Sequence, residues 1–366
     1  MKKILSLLLV CIFLLTACVG LVSCGDGNTD DPTVTTDPNG ENPNNGGDEV
    51  SNFPVPDDLL EGHTPTDTKY FKFKVDKDKG TAKLSGFYTD IPKDVVIPIE
   101  VEVDGAKYKV TELGDSALAQ AAVETVYIPY SITKLGKYVF SGCPDLKSVS
   151  IPTTITKIND GMFANCTSLV TIDFIPESVT AIGERAFEGC KATSVIIPDS
   201  VKKIGAFAFV DCAYIDTVTI PANLTEIPND CFNGCQYLNN VVLPDTVKSI
   251  GKNAFKGCKR MTNFTMGNGV ETVGDSAFAD CTNMTKFAFT DSVKSIGTLV
   301  FDGDRKLDKV RFPANAELVI ADNMFAADTS KFKLKNLYCA PGSAAETWLQ
   351  NNGYGDRVKD LATYEG

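Results

Sequence analysis

Apolar residues recur at a fixed spacing along the second half of the chain. One apolar strand residue falls every 23 positions, at Val126, Val149, Ile172, Val195, Val218, Val241, Phe264, Phe287 and Val310. A constant period of this length predicts a stack of similar turns, in which each turn buries its apolar face only against its neighbours. The pattern therefore predicts an elongated, β-rich repeat solenoid, and it says little about a ligand.

The other repeated positions of the unit have structural roles. Alternation such as Val149 and Ile151 predicts a short strand with one face inward. A Pro after most strands would end the hydrogen-bonded ladder, and a later Gly permits a tight turn or a positive φ angle. Each unit also supplies an aromatic residue that can fill the core of its turn: Phe140, Phe163, Phe187, Phe209, Phe232, Phe255, Phe278, Phe301 and Phe325.

Seven cysteines share one position of the unit, three residues after the aromatic residue: Cys143, Cys166, Cys190, Cys212, Cys235, Cys258 and Cys281. The period places them in a column about 5 Å apart. Parallel side chains suit disulfide geometry poorly, and Asp304 and Asp328 interrupt the column without leaving an obvious unpaired partner. We interpret these cysteines as buried small apolar residues, although an exported protein could also form disulfides.

The N-terminus resembles a bacterial export signal. Lys2 and Lys3 precede an apolar run that ends near Val22, and residues 1–23 are predicted to be a lipoprotein signal peptide. Small residues stand before two cysteines, so lipidation is predicted at Cys24, with Cys18 as the alternative. A run of this length could also remain as a membrane anchor. In either case we expect the protein to be attached to a membrane and displayed outside the bacterial cell.

Composition separates a linker from the folded part. The chain has a formal net charge of −12, and ten acidic residues with no Lys or Arg lie between Cys24 and Glu61. Residues 24–67 are therefore predicted to be a disordered acidic tether, which also contains the only His of the chain, His63. The remainder is almost balanced in charge, which argues against nucleic-acid binding.

Residues 68–125 are predicted to be an N-terminal β cap with an atypical first repeat. Alternating residues suggest a hairpin around Asp76–Gly80, and the insertion Glu100–Lys109 interrupts the first unit. The regular 23-residue repeats then occupy residues 126–336, followed by a C-terminal cap at 337–366. We expect the folded part to be a monomer.

The sequence of the repeats resembles that of a known family. Residues 241–261, VVLPDTVKSIGKNAFKGCKRM, follow the pattern of the BspA-like class of bacterial leucine-rich repeats, and the resemblance covers about residues 69–353. It implies a right-handed superhelix with a concave parallel β-sheet, short convex strands or turns, an N-terminal β-hairpin cap, and a C-terminal cap with a short helix. Gly267 and Thr290 replace Pro, and the 172–194 repeat shifts its Pro by one residue, so we expect single turns to bend or loosen there.

The same resemblance implies surface display, because some family members are implicated in adhesion to host matrix proteins, host cells or other bacteria. If the Val149-type positions face inward, the neighbouring strand positions face the concave surface. That surface is rich in hydroxyl groups and has a basic C-terminal end. Its candidate binding residues are Tyr127, Ser150, Asp173, Thr219, Thr265, Lys286, Lys309 and Arg311. A solvated face selected for strand propensity and solubility is the alternative interpretation.

Catalysis is not expected from this sequence. Polysaccharide-cleaving solenoids need convergent carboxylates on loops outside the regular repeat, and these repeats carry almost no insertions. No nucleophile, zinc-protease or phosphate-loop motif is present, and no cofactor is predicted. Two functions remain: a surface module that binds an extracellular protein or glycan, or a passive spacer of the cell envelope without a ligand.

Overall fold

The computed structural model describes residues 62–325 and 333–365 of the chain. The predicted signal peptide, both candidate lipidation sites (Cys24 and Cys18) and most of the predicted tether lie outside these residues. The described part forms a β-solenoid of about 11 turns with parallel sheets, so the predicted fold class is confirmed. Within these two segments, no helix is long and apolar enough to cross a bilayer.

The N-terminal cap is a mixed sheet that follows a short 3-10 turn at Thr68–Tyr70. Its strands are β1 (Phe71–Asp76), β2 (Thr81–Phe87), β4 (Glu100–Val103) and β5 (Ala106–Leu113). Strands β1 and β2 form the predicted hairpin. The insertion forms a second hairpin, β4–β5, whose turn residues Asp104 and Gly105 have φ angles of 54° and 76°. An Asp-Gly pair suits this two-residue turn because both positions require positive φ.

Each turn of the solenoid contributes one strand to the concave face. These strands are β3 (Asp94–Val96), β6 (Thr125–Tyr127), β8 (Ser148–Ser150), β10 (Thr171–Ile172), β12 (Ser194–Ile196), β14 (Thr217–Thr219), β16 (Asn240–Val242), β18 (Asn263–Thr265), β20 (Lys286–Ala288), β22 (Lys309–Arg311), β24 (Asn336–Cys339) and β25 (Val358–Asp360). Neighbouring strands are parallel and pair one repeat apart, as at Val195 and Val218. The 23-residue period is therefore the register of the sheet.

The opposite side carries two-residue strands, as the second apolar pair of each unit requires. These are β7 (Lys134–Leu135), β9 (Lys157–Ile158), β11 (Ala181–Ile182), β13 (Lys203–Ile204), β15 (Glu226–Ile227), β17 (Ser249–Ile250), β19 (Thr272–Val273), β21 (Ser295–Ile296) and β23 (Val319–Ile320). The C-terminal cap contains helix α1 (Ala344–Asn351), whose first turn is capped by the Ser343 hydroxyl, and 3-10 turns at Gly355–Arg357 and Leu361–Thr363. The predicted short helix is thus present.

The aromatic position of the repeat forms a continuous stack through the core. From Phe140 to Phe278, successive rings are nearly parallel with centroids 5.3–5.5 Å apart. The last two steps, through Phe301 to Phe325, widen to 6.1 and 6.0 Å. Because every ring of the stack is fully buried, the column supplies much of the apolar surface that joins one turn to the next. The C-terminal turns are stacked less closely than the others.

Close packing between turns explains the repeated Gly after the second strand. At Gly251, an added Cβ would lie 2.6 Å from the backbone N of Asn229, closer than any real side chain allows. Gly136, Gly183, Gly205, Gly274 and Gly297 show the same approach to the preceding turn. None of these six has a positive φ angle; most of the repeat glycines that do, such as Gly257, stand directly before a column cysteine. We expected a tight turn or a positive φ angle at this glycine from the sequence; the structure instead shows close packing against the backbone of the preceding repeat.

The concave strands of the described residues fall into three sheets instead of one. Pairing is interrupted between β8 and β10 and again between β18 and β20. The first interruption coincides with the repeat that shifts its Pro to Pro176. The second coincides with the replacement of Pro by Gly267 and Thr290. The departures from the repeat pattern therefore loosen single turns, as expected, and leave the solenoid intact.

Candidate functional site

The predicted concave residues lie on strands of one face, except Asp173, which directly follows β10. Ser150, Asp173, Thr219 and Thr265 are exposed, whereas Tyr127, Lys309 and Arg311 are half-buried. Between them, two apolar residues of the same column project into solvent, with Ile196 57% and Val242 65% exposed. The arrangement brings hydroxyl, carboxylate and apolar groups into one continuous surface. That this surface binds a ligand stays a prediction.

The N-terminal end of this face is covered by a residue that the sequence placed in the tether. The His63 ring lies over Tyr127, with centroids 4.1 Å apart. The chain that follows is fixed to β3: the Thr66 N–H donates to Val96 O, and the Val96 N–H donates to the Thr66 hydroxyl. Thr66, within the segment that was predicted to be a tether, is thus held against β3. Sequence reasoning missed this contact because residues 62–67 carry no repeat signal.

Next to Tyr127, an ion-pair ladder crosses three turns. Glu124 accepts hydrogen bonds at 2.5 Å from both Lys93 and Lys147, which lie one turn before and one turn after it. These two ammonium groups lower the pKa of Glu124 to about 2. The ladder pairs two lysines of this edge with one carboxylate. Its signal in the sequence is one charged residue per turn at the position two before the inward-facing strand residue.

The predicted basic end contains two different kinds of cation. Arg311 is taken up by the protein itself: its guanidinium donates to both carboxylate oxygens of Asp291, at 2.9 and 3.0 Å, and to the carbonyl oxygen of Phe289. Lys286 and Lys309 are paired in register on β20 and β22, and neither forms an ion pair with any described residue. The expectation of three available cations is thus corrected to two lysines beside a neutralised arginine.

A cleft opens in the concave face where β18 and β20 are unpaired. Its volume is about 700 Å³, within the range of small-ligand sites. We call it the C-terminal cleft; the polar side chains that define it are Asn263, Asn268, Lys286, Asp291, Arg311 and Tyr364. Tyr364 comes from the C-terminal cap and is held by an edge-on contact with the ring of Tyr338. Sequence reasoning missed this contribution because the cap does not share the repeat.

The cysteine column is confirmed as buried and free of disulfides, and Cys231 and Cys339 are also free and buried. The thiols do more than fill space. Each column thiol donates a hydrogen bond of 2.9–3.4 Å to a backbone carbonyl of the preceding turn, as Cys212 does to Phe187. Burial raises the pKa of Cys212 to about 12, so the thiol stays protonated and can donate.

Asp304 occupies the same column and is fully buried. Neither of its carboxyl oxygens has a hydrogen-bond partner. Burial raises its pKa well above the ordinary value of 3.8. The nearby Asp280 and Asp302 raise it further, so a neutral carboxyl is favoured at this position. No group of three or more His, Cys, Asp or Glu in the described segments could hold a metal ion.

Comparison with known proteins places this solenoid in a family. A model described as a BspA type leucine-rich repeat region, with six copies, matches residues 105–192, 173–270 and 202–333. These ranges cover more than half of the chain, and the chain therefore belongs to this family of bacterial leucine-rich repeats.

Solved structures are also similar. A leucine-rich repeat protein from Bacteroides ovatus is 28% identical, with a TM-score of 0.68, over 74% of this chain and 70% of its own. A Treponema pallidum leucine-rich repeat protein is 26% identical over 60% of this chain and 91% of its own, with a TM-score of 0.44. A leucine-rich cell surface protein from Faecalibacterium prausnitzii is 23% identical over 76% and 95%, with a TM-score of 0.39. No curated protein matches the chain.

Proposed function

We propose that this protein is a surface-displayed binding module that uses its concave face to hold an extracellular protein or glycan, and that it serves adhesion to host matrix, host cells or other bacteria without catalysis. The observation that carries the proposal is the exposure of Ile196 and Val242 on the concave strands. Apolar side chains on an otherwise polar face suit a ligand that covers them. The repeated Phe and Cys positions, by contrast, are buried in the core.

The membership of the BspA-type family supports surface display. Lipid anchoring through Cys24, or through Cys18, is part of the proposal and rests on the sequence alone. Labelled palmitate should be incorporated by cells that express the protein. Substitution of the modified cysteine by Ser should abolish the label, and substitution of the other should leave it. Absence of label from the unsubstituted protein would contradict lipid anchoring, and retention of label in the double variant would contradict anchoring through these two cysteines.

Binding itself is tested by presenting the purified protein to an array of matrix proteins and glycans. Saturable binding to at least one component is expected. Binding to none of them would favour the alternative, a passive spacer of the cell envelope. Titration of any hit with salt then separates ligands held by the basic end from those held by the apolar and hydroxyl positions, because screening weakens only the former.

A further inference from the structure

The geometry points to the C-terminal cleft as a binding site for a short acidic oligosaccharide, with a sugar carboxylate held by Lys286 in the cleft wall and by Lys309, its neighbour on β22 beside the cleft. This inference rests on the proposed function and names the ligand class for one end of the concave face. Three observations carry it: the origin of the cleft, the arrangement of its cations, and the composition of its walls.

The cleft is opened by two local departures from the repeat. Added Cβ atoms at Gly267 and Gly269 would lie 2.4 Å from Pro244 O and 1.8 Å from Asp245 O. The backbone at 267–269 is therefore drawn against the preceding turn, which only glycine allows. Towards the next turn, by contrast, β18 and β20 are not paired, and the space of about 700 Å³ lies between these two strands.

The two lysines beside the cleft lack the acidic partners that some other lysines of the solenoid have. Lys147 pairs with Glu124 one turn away, and Lys294 pairs with Glu271 at 2.9 Å. Lys286 and Lys309, in contrast, are direct neighbours on parallel strands and pair with no described acid. Like charges in this arrangement repel each other. A carboxylate placed between them would remove the repulsion and form two charge-assisted hydrogen bonds.

The walls of the cleft supply groups that suit sugar hydroxyls. Asn263 lines the cleft, and its side-chain amide group donates to Asn240 Oδ1 at 2.9 Å and to the Thr262 hydroxyl at 3.3 Å. Asn268 is exposed, and only its backbone N–H is engaged, by Asp245 at 2.7 Å. At the opposite wall, the Asp291 carboxylate is an acceptor, and its pairing with Arg311 holds it in place. Amides and carboxylates can each pair with neighbouring hydroxyl groups, which sugars present at every ring.

An aromatic ring completes the site. Tyr364 borders the cleft, half-buried, and the contact with Tyr338 fixes its orientation. A tyrosine side chain combines an apolar ring with a polar hydroxyl group, and a sugar ring also has apolar and polar parts. An acidic peptide would satisfy the two lysines equally well. It offers fewer hydroxyl groups to the two asparagines and to Asp291, so the walls favour a glycan.

The test is an array that displays uronate- and sialate-bearing oligosaccharides, each beside its neutral counterpart, together with a capped tri-aspartate peptide. The full chain should bind at least one acidic glycan at least ten-fold more tightly than its neutral counterpart and than the peptide. Titration with that glycan should show at least a ten-fold loss for Lys286→Gln. The matched control is Lys203→Gln, because Lys203 is an exposed lysine on the opposite side of the turn.

A second variant tests the cleft itself without changing charge. Thr265→Trp fills it from an exposed concave position, so the fold should be retained, and binding should be lost. The inference is overturned if no acidic glycan is preferred over its neutral counterpart, if Lys203→Gln weakens binding as much as Lys286→Gln, or if the peptide binds more tightly. Binding of a matrix protein elsewhere on the concave face would leave the proposed function standing in each of these cases.

Discussion

Replacing Asp304 by Cys should stabilise the C-terminal turns, and the gain should grow as the pH rises. The carboxyl is fully buried at a column position where the other turns have a thiol that donates to a backbone carbonyl. Both of its oxygens lack partners. An unsatisfied buried polar group costs about 1–3 kcal/mol. A Cys at this position can donate to a backbone carbonyl as the other column thiols do, so the free energy of unfolding should rise by about this amount at low pH.

The pH dependence follows from the raised pKa of Asp304. The native state keeps this proton after the unfolded chain has lost it. The stability contributed by the neutral group is therefore full below its ordinary pKa of 3.8 and declines from there upward until the native pKa is passed. One proton of difference corresponds to about 1.4 kcal/mol per pH unit in this window. Asp304→Cys and Asp304→Asn should both remove this decline.

The only Trp of the chain provides the readout. Trp348 contacts Phe325 at a ring distance of 6.4 Å, so its fluorescence reports unfolding of the C-terminal turns, which need not melt together with the rest of a repeat array. Urea midpoints measured between pH 4 and 8 give the comparison. Asp322→Asn removes an exposed acid that does not act on the pKa of Asp304 and serves as the control. Parallel pH profiles for the wild type and Asp304→Asn would refute the reasoning.

Three further outcomes are expected. Phe232→Ala, in the middle of the aromatic stack, should lower the free energy of unfolding by about 3–5 kcal/mol, measured by urea denaturation; a loss below 1 kcal/mol would contradict the role of the stack. Gly251→Ala should destabilise the protein although it replaces glycine outside a positive-φ position, since its Cβ would meet the Asn229 backbone; unchanged thermal stability would argue against tight turn contacts. Alkylation without reduction, followed by peptide mass spectrometry, should label all nine described cysteines after denaturation and none of the seven column cysteines before it; protection that persists in denaturant would show disulfides.

The fold could be predicted from the sequence because each repeated position has one structural task. The 23-residue spacing fixes the sheet register, the aromatic residue fixes the core stack, and the Cys position fixes a buried column. Departures from the repeat were also informative: Gly267 and Thr290 mark the loosened turn. Such features are local or periodic, and periodicity can be read without knowing which side chains meet.

Contacts between residues without a common period could not be predicted in the same way. His63 reaches Tyr127 across the start of the folded part, and Tyr364 reaches the C-terminal cleft from the cap. The pairing of Arg311 with Asp291 links two different positions of neighbouring units. Each of these contacts changes the candidate site, by covering Tyr127, by forming a wall or by neutralising a charge. The site is therefore less predictable than the scaffold that carries it.

The central claim, that ligands bind the concave face, is tested most directly by one pair of matched variants. Val242 on the concave strand β16 and Val319 on the opposite strand β23 are each 65% exposed, so Asp at either position perturbs the fold to a similar extent. Saturable binding of the ligand identified on the array should weaken at least ten-fold in Val242→Asp and stay unchanged in Val319→Asp. Equal binding by the two variants, or loss only in Val319→Asp, would contradict the account.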